Sequence, residues 1–135
     1  MRYGSGLAIV ASATAALLAA ACAVVPPETG ERAFAEHCVS CHGITARGDG
    51  PAAAGLPVPD LTGIAARNGG VFPRAAVMTT IDGYSRGLHG EPGAMPQFGD
   101  LLRGRTVLYD SGDGIATPTP ETLVALAEYL QRIQG

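Results

Sequence analysis

The sequence has no lysine and no tryptophan, and only 5% of its residues are aromatic. Its nine positive charges are therefore all arginine, set against twelve aspartates and glutamates for a net charge of −3. That balance lacks the basic face that phosphate contacts need and argues against a nucleic-acid partner. Charged residues make up 16% of the chain, below the usual share of about a quarter. The hydrophobic share is 47%, but much of it is alanine, which buries little area, so the core is expected to be thin. Glycine (19) and proline (10) are plentiful but show no G-X-Y period, and no repeat of solenoid length is visible. At 135 residues the chain has room for one domain.

Charge is also missing between Arg2 and Glu28. One arginine, an apolar run and a small-residue stretch match the three regions of an export signal. The run Leu17-Leu18-Ala19-Ala20-Ala21-Cys22 reads in three ways. Cleavage before Cys22 would resemble the lipobox of bacterial lipoproteins, with lipid on the new N-terminal cysteine. The leucine usual three residues before that cysteine is Ala19 here. Cleavage after Ala21 or Ala23 would release a soluble exported protein. An uncleaved segment of about 20 apolar residues could anchor the chain in a bilayer. All three place the remainder outside the cytoplasm. The resulting division is an export signal over 1–25, of lipoprotein type ending at Cys22, a tether over 26–29 and a domain over 30–135.

Three cysteines in an exported chain require an explanation, and lipidation of Cys22 would account for one. The other two lie in Cys38-Val39-Ser40-Cys41-His42, the C-x-x-C-H pattern of c-type haem attachment. Two thiols at this spacing can each add to one haem vinyl group, and the next residue projects an imidazole at the iron from the same side. The competing readings are weaker. A thioredoxin-like pair would follow a strand, but a helical stretch precedes this one. A Cys38–Cys41 disulfide would close too small a loop to stabilise much. Zinc needs four ligands, with only His37 and His89 to complete the set.

The chain resembles the class I c-type cytochromes of bacteria, and the resemblance extends beyond the haem motif. Gly30 to Cys38, with Gly30 and Phe34 four apart, is similar to that family's N-terminal helix. Leu123 to Leu130, with Tyr129 near the end, is similar to its C-terminal helix. Gly93-Ala94-Met95-Pro96-Gln97-Phe98-Gly99 is similar to the segment that carries the axial methionine. The resemblance implies an all-α cytochrome c fold, with short helices wrapped around one covalently bound haem c. It implies thioether bonds from Cys38 and Cys41, axial iron ligation by His42 and Met95, and a proline carbonyl accepting the Nδ1–H of His42. Pro59 is chosen for that role over Pro57. His89 is the rival sixth ligand, but its flanks do not match the family segment. Met78 reads as a core filler.

Local patterns complete the expectation. A helix is predicted from Gly30 to Cys41, with Phe34 facing the core and His37 facing solvent. Residues 43–63 read as a Gly- and Pro-punctuated loop. Short helices are expected over 60–67 and 73–81, the latter with Val77 and Ile81 on one face. Residues 82–99 form a second Gly/Pro-rich stretch. Thr106 to Tyr109 reads as a short strand or ribbon ended by Asp110-Ser-Gly-Asp-Gly, an insertion that minimal members of the family often lack. The last helix is expected to have Thr119 as N-cap, Pro120 at its first position, and a stripe of Leu123, Leu126, Leu130 and Ile133. Arg67, Arg74, Arg103 and Arg105 are candidates to pair with haem propionates, and the sequence does not choose among them.

Met/His ligation raises a haem's reduction potential and fills both axial positions, which favours single-electron transfer over substrate chemistry. The expected partners are redox proteins or membrane oxidoreductase complexes, with the membrane reached through an N-terminal lipid or anchor. Neither nucleic acid nor a small-molecule substrate is expected. Without lysine, the chain lacks the lysine-ringed docking face of mitochondrial cytochrome c. A subunit of a larger oxidoreductase, and a haem enzyme or gas sensor with a labile sixth ligand, are the alternatives.

Overall fold

The computed structural model describes residues 25–83, 95–99 and 102–135. Cys22 and His89 lie outside these residues. Helix α1 spans Pro27–His37. It starts earlier than the expected tether over 26–29 allows. Pro26 is the N-cap and Pro27 takes the first helical position, where a missing N–H costs nothing. Glu28 in the first turn complements the helix dipole.

The expected continuous helix to Cys41 is interrupted at Cys38 (φ −113°, ψ −31°) and resumes as α2, Val39–His42. Two short helices follow. α3 is Ile64–Arg67 and α4 is Arg74–Asp82. The predicted helix over 60–67 loses its first half because Asp60 Oδ1 accepts both the backbone N–H (2.8 Å) and the hydroxyl (2.6 Å) of Thr62, a side-chain turn that competes with helix. The last helix, α5, is Glu121–Arg132.

The fold is mostly helical but not all-α. Strands β1 (Thr106–Asp110) and β2 (Ala116–Pro120) form a two-stranded antiparallel sheet, with Val107 opposite Thr119 and Tyr109 opposite Thr117. β-branched and aromatic residues favour the pairing. Asp110 Oδ1 closes the turn by accepting from Gly112 and Gly114 at 2.8 and 3.0 Å. This sheet also corrects the cap of the last helix. Thr119 is held in β2, its hydroxyl donating to the Thr117 carbonyl at 3.1 Å, and Pro120 occupies the N-cap position.

The core forms where α1, α4 and α5 meet, around Ala33, Phe34, Met78, Ile81, Leu123, Leu126 and Leu130. Met78 is part of it, in keeping with its reading as a core filler. Gly30 fixes the α1–α5 crossing. A Cβ there would fall on the Ala125 carbonyl oxygen and lie 2.9 Å from Tyr129 Cβ. The close approach brings the Phe34 and Tyr129 rings to a 5.2 Å centroid distance at a 42° tilt, a favourable aromatic arrangement. Gly30→Ala forces two backbones apart and is expected to destabilise the fold by about 3 kcal/mol, the upper part of the overpacking range. Thermal unfolding of the haem-bearing protein checks it. An unchanged midpoint would mean that the crossing tolerates a side chain.

The hairpin is tied to α5 by Arg105 and Glu121, a two-point pair at 2.6 and 2.7 Å. The guanidinium holds the Glu121 carboxyl below its usual pKa. A depressed carboxylate contributes stability above its unfolded pKa and loses it as pH falls through the folded value. Acidification below about pH 4.3 should therefore loosen this junction. Exchange of the Glu121 amide, which donates to the Arg105 carbonyl at 2.8 Å, read against pH tests this, and Arg105→Gln should weaken the dependence.

Candidate functional site

The haem motif sits at the junction of α1 and α2. The Cys38 N–H donates to the Phe34 carbonyl at 2.9 Å, and the His42 N–H donates to the Cys38 carbonyl at 2.8 Å. One near-helical turn therefore holds both thiols and the imidazole. Both cysteines are free and partly buried. Burial, together with the neighbouring Cys41, pushes the Cys38 thiol up to about 11, so it is protonated at neutral pH.

The loop after the motif folds back over it. The Gly48 N–H donates to the His42 carbonyl at 2.8 Å, and the Gly50 N–H donates to the Cys41 carbonyl at 3.1 Å. A Cβ on Gly50 would lie 2.5 Å from the Ser40 carbonyl oxygen, so only glycine lets the loop close here. Gly48, at φ +81°, has a Cβ position blocked by the Val58 carbonyl. Leu61 N–H reaches the Ala46 carbonyl at 2.8 Å. These contacts bring the Val58–Leu61 strip to the motif and Pro59 to His42.

His42 is buried, 7% exposed. Burial lowers its pKa, while the Pro59 backbone acts as an acceptor that pulls the other way. The neutral ring thus favoured is the form that ligates a metal. The hydrogen bond itself is not closed. Nδ1 is buried and has no partner within bonding geometry. A buried, unpaired donor facing an acceptor is what a ring awaiting axial coordination would show, since ligation at the other nitrogen fixes its orientation.

His42, Cys38 and Cys41 line one cavity of about 630 Å³, within the roughly 300–1,000 Å³ of small-molecule and cofactor sites. Met95 lines the same cavity. Its segment is anchored by Phe98 N–H donating to the Ile81 carbonyl at 3.3 Å. Gln97 packs on Gly83, whose left-handed conformation (φ +84°) ends α4. Phe34, Val77, Ile81, Phe98, Leu126 and Leu130 supply apolar wall from four parts of the chain. His37, expected to face solvent, is instead half-buried and lines the cavity, 3.7 Å from Glu36.

The sequence did not mark Leu56, Val58, Leu61 and Ile64 as cavity wall. Their apolar residues alternate with prolines in Leu56-Pro57-Val58-Pro59, a pattern that reads as loop, and nothing local shows that the loop covers a cofactor. Among the described residues, no group of three or more His, Cys, Asp or Glu side chains could hold a metal ion by itself. No described helix is long and apolar enough to cross a membrane.

An apolar cavity with two thiols, a buried imidazole and a thioether on its walls defines a domain built to enclose a flat, apolar, iron-bearing group. The cytochrome c family model matches residues 27–134, and the chain belongs to that family. The family binds covalent haem c with iron. Comparison with curated proteins found no match, and comparison with solved structures found none.

Proposed function

We propose that the protein is a single-haem, class I bacterial cytochrome that carries one electron at a time between redox proteins or membrane oxidoreductase complexes. The observation that carries this reading is the convergence of Cys38, Cys41, His42 and Met95 on one apolar cavity. Cys38 and Cys41 would hold a haem by adding their S–H across its two vinyl groups, forming two thioether bonds without loss of atoms. His42 and Met95 would supply the protein ligands to its iron, with the Pro59 carbonyl placed to accept from the His42 Nδ1–H. A haem so held would supply one-electron chemistry between a donor and an acceptor. The apolar walls keep water from the iron, and two protein ligands leave no position for a substrate. The activity is electron carriage rather than catalysis of a small molecule's reaction.

The N-terminal pattern supports export to the periplasm, with tethering to the membrane through lipid on Cys22. Leu108 and Ile115, 73% and 62% exposed on and beside the hairpin, favour one second reading, a cytochrome subunit docked permanently in a larger oxidoreductase. Co-purification from native membranes separates the two. The test of the primary reading is a potentiometric titration of the purified protein. One covalent haem per chain and a one-electron wave support it. A chain without covalent haem, or a multi-electron wave, contradicts it.

A further inference from the structure

The hairpin of β1 and β2 has two outer edges, and they differ. The Glu121 N–H donates to the Arg105 carbonyl at 2.8 Å, one step beyond the strands. Bonded and unbonded pairs alternate along an antiparallel ladder, so Val107–Thr119 and Tyr109–Thr117 are its bonded pairs. Pro118 and Pro120, which have no N–H, fall in the unbonded pairs. Main-chain groups of the unbonded residues point away from the hairpin. On the β2 side these residues are Ala116, Pro118 and Pro120, and only Ala116 has a donor. On the β1 side they are Thr106, Leu108 and Asp110, each with both an N–H and a carbonyl. Among the described residues, no main-chain hydrogen bond from another element reaches them. The Leu108 side chain is 73% exposed, whereas Val107 and Tyr109 pack on the core. Natural sheets blunt an open edge with proline, lysine or a bulge. β2 carries its prolines there. β1 has none of these devices and a single charge, at its last residue, Asp110.

We propose that the β1 edge pairs with the same edge of a second copy of this chain, antiparallel about a two-fold axis at Leu108, giving a four-stranded sheet across a dimer. Adding a strand to an exposed edge is a recurrent mode of recognition. In this register β1 is complementary to itself. Leu108 faces the partner's Leu108, and Thr106 faces the partner's Asp110, so every outward residue of both strands is bonded. On the outer face Pro118 and Leu108 meet the partner's Leu108 and Pro118 in one apolar row. Charge selects the same register. Asp110 faces the partner's Thr106, next to the partner's Arg105. An axis two residues further along would set Asp110 against the partner's Asp110, and like charges directly opposite are destabilising. The proline-blocked β2 edges end the sheet on both sides, so association closes at two chains instead of running on as a fibre. Pairing over so short a strand covers less than the roughly 1,600 Å² of a standard interface, and a dissociation constant on the order of 10–100 μM is expected.

The test is sedimentation of the purified haem-bearing protein under reducing conditions from about 1 to 500 μM, with residue-resolved amide exchange at about 50 and 500 μM. Monomer should convert to dimer, with no larger species. The amides of Thr106, Leu108 and Asp110 should exchange at least about twofold more slowly at the higher concentration, while those of Val107 and Tyr109, bonded inside the hairpin, should not change. Leu108→Pro removes the central donor of the open edge and no bond of the hairpin ladder. It should weaken association at least about tenfold, or about 1.4 kcal/mol, with haem content unchanged. A parent that stays monomeric at the highest concentration overturns the proposal. So does a dimer whose Thr106, Leu108 and Asp110 amides exchange at the dilute rate, an assembly that grows past two chains, or undiminished association of Leu108→Pro. If Leu108→Pro takes up no haem, Leu108→Asp decides, since it sets two carboxylates face to face on the axis: loss of the dimer supports the pairing, and a dimer of parental strength overturns it.

Discussion

A Cys38→Ser, Cys41→Ser double variant is expected to lose covalent haem and most of its helix content with it. Among the described residues, the apolar core is small, with Phe34 and Leu102 its most buried large side chains. The walls of the main cavity are contributed by all five α-helices and by the loops over residues 56–61 and 95–98, so every α-helix borders the space. Left empty and uncollapsed, a hole of about 630 Å³ at roughly 24 cal/mol per Å³ would cost about 15 kcal/mol. That is an upper bound, since the rim at Leu56 and Arg67 is open. It reaches the top of the stability range for an ordinary domain, about 5–15 kcal/mol, and a third of it would match the bottom. The haem-free chain should therefore collapse or unfold rather than keep the cavity. Small domains with thin cores commonly depend on such a staple. Haem staining on a denaturing gel reports the covalent bond, and far-ultraviolet circular dichroism reports the helices. A single Cys→Ser variant keeps one thioether and should fall between. A haem-free double variant with native helix content would contradict the account.

The second large effect is expected from Met95→Ala. Met95 is half-buried, and its segment stays anchored through Phe98 and Gln97, so the fold should survive. The ligand set should not. Axial ligands tune haem potentials over about 0.8 V, and thioether ligation lies on the high side. Loss of the thioether is expected to shift the equilibrium toward ferric by about a hundredfold or more, two steps of 59 mV for one electron. The vacated position should also bind carbon monoxide in the ferrous form. A variant that keeps its potential and its closed site would show that another residue supplies the sixth ligand, with His89 the next to replace.

The parts of this site that the sequence displays are those written in short-range spacing. Cys38, Cys41 and His42 are placed by a single turn, so their order in the chain already carries their geometry. Phe34, and Leu126 with Leu130, follow helical periodicity, which marks the core-facing sides of α1 and α5. Long-range contacts hid the rest. Thr119 has the side chain of an N-cap, but pairing with Val107 across the hairpin claims it first. Pro59 and Pro57 are indistinguishable as local sequence. Only the closure of the loop at Gly48 and Gly50 brings the Pro59 backbone to the buried Nδ1 of His42. The four candidate arginines differ not in their neighbours along the chain but in what faces them across the fold, and Arg67 alone of the four lines the cavity.

The central claim, an iron held between His42 and Met95, is tested most directly by the absorption spectrum of the purified haem-bearing protein, oxidised and reduced, with and without carbon monoxide. The account predicts a low-spin spectrum, a sulfur-to-iron charge-transfer band in the oxidised form, and no response of the reduced form to the gas. A high-spin spectrum, or ready binding of carbon monoxide, would contradict it and move the protein from electron carrier toward a haem enzyme or gas sensor.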